Sequence, residues 1–213
     1  MSIKPIWNPS KDLVAQSNLT SFQNYINKKY NTNFQAYDDF HKWSVNSLNQ
    51  FWSSLIEYEK IIYKGSLRPH VDGDMRMPGT KWYPDMKLNF AQNLLKFNDD
   101  STAIESHSES GEILQISFKE LNQKVDTFYI YLKSIGVTCG DRVASVTPNI
   151  TETIVLMLAT AKLGAIWTSC SPDFGEEAIL DRFEQVSPKV LIATDGYSFK
   201  GKYFSIIDKI INV

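Results

Sequence analysis

Cysteine is nearly missing from this 213-residue chain: there are two, Cys139 and Cys170, and their spacing matches neither a disulfide framework nor a metal-binding pair. A disulfide-stapled secreted domain is excluded, and a reducing, cytoplasmic setting is expected. Histidine is equally sparse, and His41, His70 and His107 are scattered, with no pair at ligand spacing. Long apolar runs are absent. The stretch IVLMLATA over residues 154–161 is interrupted by Lys162 and falls well below the roughly 20 residues a membrane span needs. The opening MSIKPIWNPSKD has a lysine but no apolar core, so no secretory signal is read there. Without secretion the sequons at Asn18 and Asn149 carry no glycan, and Asn149 is read as a helix cap. No charge sign dominates: 22 Lys and Arg face 24 Asp and Glu, a net charge of -2. That removes the electrostatic ground for nucleic acid or acidic lipid as a partner. Glycine-rich phosphate loops of the Walker or dinucleotide type are also lacking.

What is present suffices for a sizeable core: 43% of residues are hydrophobic and 22% charged, the balance of an ordinary globular protein. The first hundred residues are helical and aromatic. Leu19, Phe22, Tyr25 and Ile26 recur at helical spacing. A second helical stretch over residues 37–59 carries Phe40, Trp43, Val45, Leu48, Phe51, Trp52, Leu55 and Ile56, with a break expected at Ser44 or Asn46. Residues 64–86 hold three glycines and three prolines, which is loop chemistry. Asn89 then caps a short helix whose Phe90, Leu94 and Leu95 are expected to face inward.

From residue 99 the pattern alternates. TAIESHS and EILQISF flank ESG as a hairpin. Ser117 and Glu120 have the spacing of a capping box, and the helix they start places Leu121, Val125, Phe128, Leu132 and Ile135 on one face before Gly136 ends it. RVASVT, AIWTSC and KVLIATD read as strands. Between them lie an apolar helix ending at Gly164 and the helix EEAILDRFEQV, which Pro188 stops. Strands separated by helices of this length imply parallel pairing. The expected fold is α/β: a helical arm over residues 1–98, then an incomplete parallel sheet flanked by helices over residues 99–213. The last segment, YFSIIDKIINV, is read as the start of an amphipathic helix, so the α/β layer looks unfinished.

Candidate chemistry is narrow. His70, Asp72 and Asp74 lie close together in HVDGDMR, but the stretch fails the calcium-loop template and is read as a solvated loop. Glu176 and Glu177 sit at a helix start, where carboxylates offset the macrodipole. Ser171 lacks the flanking glycines of a nucleophile elbow. There remains DGYSFKGK, in which Gly201 stands between Lys200 and Lys202 just beyond a strand's carboxyl end. Ligands of α/β sheets gather at that edge, and lysine suits phosphate as a mobile point charge.

The stretch from Asp141 to Lys202, with GDRV at residues 140–143, LGA at 163–165, SPDFG at 171–175 and LDRF, PKVL and DGY after it, resembles the adenylate-forming acyl-CoA synthetases. WYPDMKLNFAQNLL, residues 82–95, is similar to the segment leading into the main domain of that family. SPDFG further resembles the acetoacetate-activating branch, since acetate-activating members usually carry a Phe-Gly-Gly-Phe turn there. The resemblance implies a two-step ligase using ATP, magnesium, CoA and acetoacetate. It also implies a CoA-binding set: Pro172, Asp173 and Phe174 approaching the adenine, and Lys200, Gly201 and Lys202 meeting the nucleotide phosphates. Lys202 matches one of the family's two basic positions, Phe199 replaces the other, and Lys200 is its substitute. The family's principal ATP-binding loop and catalytic lysine have no counterpart in residues 1–213, so this stretch by itself is expected to form no acyl-adenylate. The alternatives are a non-catalytic CoA- or nucleotide-binding half-domain and part of an acetate- or propionate-activating synthetase. An unfinished sheet further predicts exposed apolar faces on helices 150–163 and 176–186, and with them self-association.

Overall fold

The computed structural model describes residues 6–67, 71–72 and 78–213. The chain divides into two compact units, Met1–Leu88 and Asn89–Val213.

The first unit is helical. It contains α1 (Lys11–Ala15), α2 (Asn18–Tyr30), α3 (Tyr37–Asn46) and α4 (Leu48–Tyr58). Ser10 and Ser17 cap α1 and α2 through their hydroxyls. The expected break in the second stretch falls at Ser47 rather than Ser44 or Asn46, where the backbone leaves helical geometry at φ -123° and ψ 49°. Phe22, Ile26 and Phe40 are buried, with Tyr25, Tyr30, Phe34, Trp43, Phe51, Leu55 and Tyr58 packed around them. Leu19, Val45 and Trp52 belong to the stripes but remain largely exposed. The loop that follows is pinned by two short antiparallel bridges, β1 (Lys64–Gly65) with β4 (Met86–Lys87) and β2 (Val71–Asp72) with β3 (Lys81–Trp82). The reading of His70, Asp72 and Asp74 as a solvated loop lies outside the described residues, apart from the backbone of Asp72.

The second unit is α/β. Asn89 caps α5 (Phe90–Leu94) by accepting from the Gln92 amide. Ala91 is the buried position of that short helix and Leu95, just beyond its end, packs on the same core as expected, while Phe90 and Leu94 are exposed, contrary to the sequence reading. One turn has room for a single buried position. β5 (Thr102–His107) and β6 (Ile113–Ser117) form the expected hairpin. The Ser117 and Glu120 capping box opens α6 (Phe118–Ser134).

The sheet itself comprises β7 (Arg142–Val146), β8 (Ile166–Cys170) and β9 (Val190–Ala193), parallel and in the order β8-β7-β9. α7 (Thr151–Leu163) links the first two and α8 (Glu176–Glu184) the last two. Side chains alternate across a strand, so β7 serves two cores. Val143 joins Val125, Leu132, Val155 and Leu158 on the α6 and α7 side. Ala144 and Val146 join Ile179 and Phe183 on the α8 side. The chain therefore runs from β7 outward to β8 and back across to β9, with α7 and α8 on opposite faces.

Asn149 does not cap α7, since Ile150 occupies the N-cap position and makes no side-chain cap bond. Residues 202–205 are not helical. They form β11 (Lys202–Ser205) of a hairpin with β10 (Gly196–Phe199), and α9 begins only at Ile207 (Ile207–Asn212). The apolar faces of α7 and α8 are mostly covered, with Val155, Leu156, Leu158, Ile179 and Phe183 buried and exposure confined to the flanking Ile150 and Val186. Exposed apolar side chains instead stand on β6, on α6 and on the β10–β11 hairpin, as at Leu114, Ile130 and Tyr203.

Candidate functional site

β9 leaves the sheet at Ala193, and two residues later the chain enters the β10–β11 hairpin. The hairpin turn is Lys200 and Gly201, with φ of 51° and 72°. Positive φ at both central residues is the type I′ arrangement, whose twist suits a two-residue hairpin. Gly201 adopts it freely, whereas a lysine held there is disfavoured by roughly 1–2 kcal/mol. The base of the hairpin is fixed from below. Tyr197 stacks on Phe204 at 5.5 Å and packs on the cluster of Ala144, Val146, Ile179 and Phe183. The Ile206 amide closes it by donating to the Asp195 carbonyl at 2.9 Å.

Above the sheet's carboxyl edge this hairpin forms one wall of an open groove of about 1050 Å³. Facing it are residues 108–110, the turn of the β5–β6 hairpin, and residues 148–150, which leave β7 for α7. The groove thus stands over the ends of β7 and β9, the two strands between which the chain reverses its direction across the sheet. In open α/β sheets that reversal leaves a crevice, because the connections depart to opposite faces.

Of the residues singled out in the sequence, Lys200, Gly201 and Lys202 line this groove. Both lysines are exposed. Glu109 is the opposing charge, with its Oε2 3.5 Å from the Gly201 amide. Tyr203 also lines the groove, and desolvation together with the adjacent Asp195 carboxylate pushes its phenol above the ordinary value. Sequence reasoning missed Glu109, residues 148–150 and Tyr203. The first two are far from the hairpin in sequence, and the third was assigned to a helix.

Residues 172–174 lie elsewhere, at the end of β8, and do not line the groove. Their turn is bound tightly. Lys209 Nζ, from α9, donates to the Pro172 carbonyl at 2.9 Å and to the Phe174 carbonyl at 2.7 Å. The Arg182 guanidinium lies 4.6 Å above the Phe174 ring, and Asn212 Nδ2 donates to Glu176 at 3.3 Å. Pro172 is buried, Phe174 half-buried and Asp173 exposed. Behind this turn burial pushes the Cys170 thiol up, against the pull of Arg182.

Among the described residues no group of three or more His, Cys, Asp or Glu side chains is placed to hold a metal ion. No described helix is long and apolar enough to cross a membrane.

Comparison with known proteins agrees with this architecture. The family model described as AMP-binding enzyme matches residues 90–209. Acetoacetyl-coenzyme A synthetase of Rhizobium meliloti (strain 1021) is 40% identical over 207 residues, covering 97% of this chain and 32% of that protein. Acetoacetyl-CoA synthetase of Xenopus tropicalis is 32% identical over 216 residues, covering 100% of this chain and 32% of that protein. The solved structure of acetoacetyl-CoA synthetase from Streptomyces lividans is similar at a TM-score of 0.90 and 35% identity, over 98% of this chain and 33% of that chain. The chain spans about a third of the length of the curated relatives it matches. A groove at the switch point of a β8-β7-β9 sheet, inside the span of the matching family model, fits one conclusion: the chain belongs to the AMP-binding enzyme family.

Proposed function

We propose that residues 1–213 form one third of an ATP-dependent ligase that joins acetoacetate to CoA. The observation that carries this reading is the likeness to acetoacetyl-CoA synthetases along almost the whole chain. In the first half-reaction a carboxylate oxygen of acetoacetate attacks the α-phosphorus of ATP, and pyrophosphate leaves. In the second the CoA sulfur attacks the acyl carbon of the adenylate, AMP leaves and the thiol proton passes to solvent. Magnesium would neutralise the polyphosphate charge. The described residues offer no metal-binding cluster for it, so no role in holding it is given to this third.

The share of this chain lies with CoA. Lys200 and Lys202 are exposed on a short, anchored hairpin, an arrangement suited to holding the nucleotide phosphates. The turn of Pro172, Asp173 and Phe174, for which the family resemblance implies a contact with the adenine, is fixed by Lys209 and Arg182 at the end of β8 and stands outside the groove. Glu109, which lines the same groove with its carboxylate against the Gly201 amide, is the counter-charge to the two lysines. Two free cysteines, one buried and one exposed, accord with a cytoplasmic compartment. Acetoacetate is a ketone body, which assigns the reaction to lipid metabolism. The exposed aromatic residues of the hairpin support self-association of the chain.

The test is a chimera in which residues 1–213 replace the matched third of the Rhizobium meliloti protein. It is expected to release AMP in the presence of acetoacetate, ATP and CoA together, whereas the 213-residue chain alone gives no acetoacetate-dependent ATP–pyrophosphate exchange. In the chimera Lys202→Ala should raise the KM for CoA and leave that exchange unchanged. A loss confined to the exchange would refute the CoA assignment.

A further inference from the structure

The hairpin wall of the groove holds several aromatic rings, and they differ in what already covers them. Tyr197 and Phe204 are stacked on each other at 5.5 Å. The Lys200 ammonium stands 5.1 Å from the centre of the Phe199 ring. Outside the groove, Phe174 carries the Arg182 guanidinium at 4.6 Å. Tyr203 is different. Among the described residues no ring and no cation sits over it, and it is 61% exposed. A ring sandwiched on both sides would be mostly buried, so one face of Tyr203 is open.

The other side of Tyr203 is supported by a residue that has to be small. A Cβ on Gly196 would lie 2.5 Å from the Tyr203 Cζ and hydroxyl and 2.5 Å from the Phe204 carbonyl oxygen. Gly196 is buried and sits diagonally across the hairpin from Tyr203, in the register Ser198↔Tyr203 and Gly196↔Ser205. Absence of a side chain there lets the phenol end of the ring settle on the backbone. The result is a seated aromatic plate with one free face, adjoining Lys202 in sequence and lining the same groove as Lys200 and Lys202.

A flat, seated ring beside two ammonium groups is matched to a ligand that is aromatic at one end and phosphorylated at the other. Resting on the reading of the groove as a nucleotide site, we infer that Tyr203 is the stacking platform for the adenine base, and that Phe174 is not. The base and the phosphates are shared chemistry of CoA and ATP. The 3′-phosphate belongs to CoA alone.

The inference is tested on the 213-residue chain by calorimetric titration with adenosine 3′,5′-bisphosphate, with ATP, and with inorganic pyrophosphate as a base-free probe. Tyr203→Ala should weaken adenosine 3′,5′-bisphosphate by about 5- to 150-fold, the range of one base–aromatic stack, and leave pyrophosphate unchanged. Tyr203→Phe should restore the affinity, because the ring and not the hydroxyl is used. If the alanine variant melts early, Tyr203→Leu, which covers Gly196 without offering a ring face, is read in its place. In the unmodified chain, nuclear Overhauser contacts should link the adenine H2 and H8 protons to the Tyr203 ring, whereas contacts to the Phe174 ring instead would overturn the inference. If Lys202→Ala weakens both phosphorylated probes and Tyr203→Ala changes neither, the phosphate reading survives and the platform is wrong. The reverse pattern keeps the platform and removes the lysine contact. No binding of any probe rejects both. Tighter binding of adenosine 3′,5′-bisphosphate than of ATP assigns the groove to CoA, and the opposite order assigns it to ATP with the platform unchanged.

Discussion

The two units solve the same problem with different side chains. In the helical unit the core is made of rings: Phe22 meets Phe40, Phe51 and Tyr58 at centroid separations of 6.0, 5.9 and 5.1 Å, and most of those partners remain partly exposed. In the α/β unit it is made of Val, Leu, Ile and Ala, many with no accessible surface at all. The cause is geometric. Short helices with loose ends leave wide, irregular gaps, which a large ring spans while keeping one edge in water. A parallel sheet covered by helices brings backbones close on both faces, and small or branched aliphatic side chains fill most of that layer, with Phe183 a buried ring among them. The lesson concerns tolerance: the α/β unit has little slack, and the helical unit has some.

The largest expected effect tests that tolerance. Leu132 is 1% exposed and walled by the α6–α7 core, so Leu132→Ala should cost about 2–5 kcal/mol. Phe51→Leu in the helical unit, replacing one half-buried ring among several that can resettle, should cost clearly less. Urea midpoints combined with amide exchange in each unit would give both numbers, and the reverse order would break the comparison.

Next in size is the clamp on the turn at residues 171–175. Lys209 spends its ammonium on two carbonyls, and hydrogen bonds from a charged donor contribute about 1.5–3 kcal/mol. Lys209→Met should release the turn and α9 together, read as faster amide exchange at Phe174 and Gly175. Lys209→Arg should recover part of the protection. Unchanged exchange in the methionine variant would mean that the aromatic contact with Arg182 suffices alone.

How much of this was legible depends on how local the cause is. The Ser117 and Glu120 box and the Asn89 cap are made within three residues, and both were read correctly. So were the three sheet strands, because each is a short β-branched or apolar run bounded by helix ends. The β10–β11 hairpin was misread. Its I′ turn carries lysine where asparagine or aspartate would have announced it, and the apolar residues 206, 207, 210 and 211 drew the helical reading back across β11. The position of Lys200 and Lys202 beyond a strand end was visible, but the groove was not. Glu109 and Gly201 are separated by 92 residues, and only the folding of distant segments onto one sheet edge joins them.

Helix starts give a smaller, mirrored pair of predictions. α6 in the α/β unit has a complete capping box, while α3 in the helical unit begins at Ala36, which has extended backbone but no side-chain cap. Ser117→Ala should therefore cost about 0.5–2 kcal/mol, and Ala36→Ser should return a comparable gain to the helical unit. Thermal or urea midpoints of both variants check the pair. A stabilised Ser117→Ala protein or a destabilised Ala36→Ser protein would show that the caps do not limit either unit.

The smallest effect separates the units by acid. Asp141 accepts from the Thr138 amide at 2.8 Å, the Lys189 ammonium at 3.0 Å and the Thr138 hydroxyl at 2.9 Å, which hold its carboxyl down to about 2. Its unfolded value lies near 3.9. A carboxylate with a lowered folded value binds fewer protons folded than unfolded, so its stabilisation is complete above about pH 4 and fades as pH falls through about 2. The carboxylate is half-buried at the surface and still reached by water, so the contribution is modest and salt-sensitive. Asp141→Asn should lower the urea midpoint by a constant amount at neutral pH, and the gap to the unmodified chain should close between about pH 4 and pH 2. In the helical unit Glu57 is likewise lowered, chiefly by Lys29 at 2.5 Å and further by the Tyr25 hydroxyl. Glu57→Gln should change the acid response of amides in residues 6–67 and leave those around Asp141 as they were. If one substitution moved the acid response of both units equally, they would be unfolding as a single cooperative block, and the contrast between a ring-packed and an aliphatic core would have no separate thermodynamic expression.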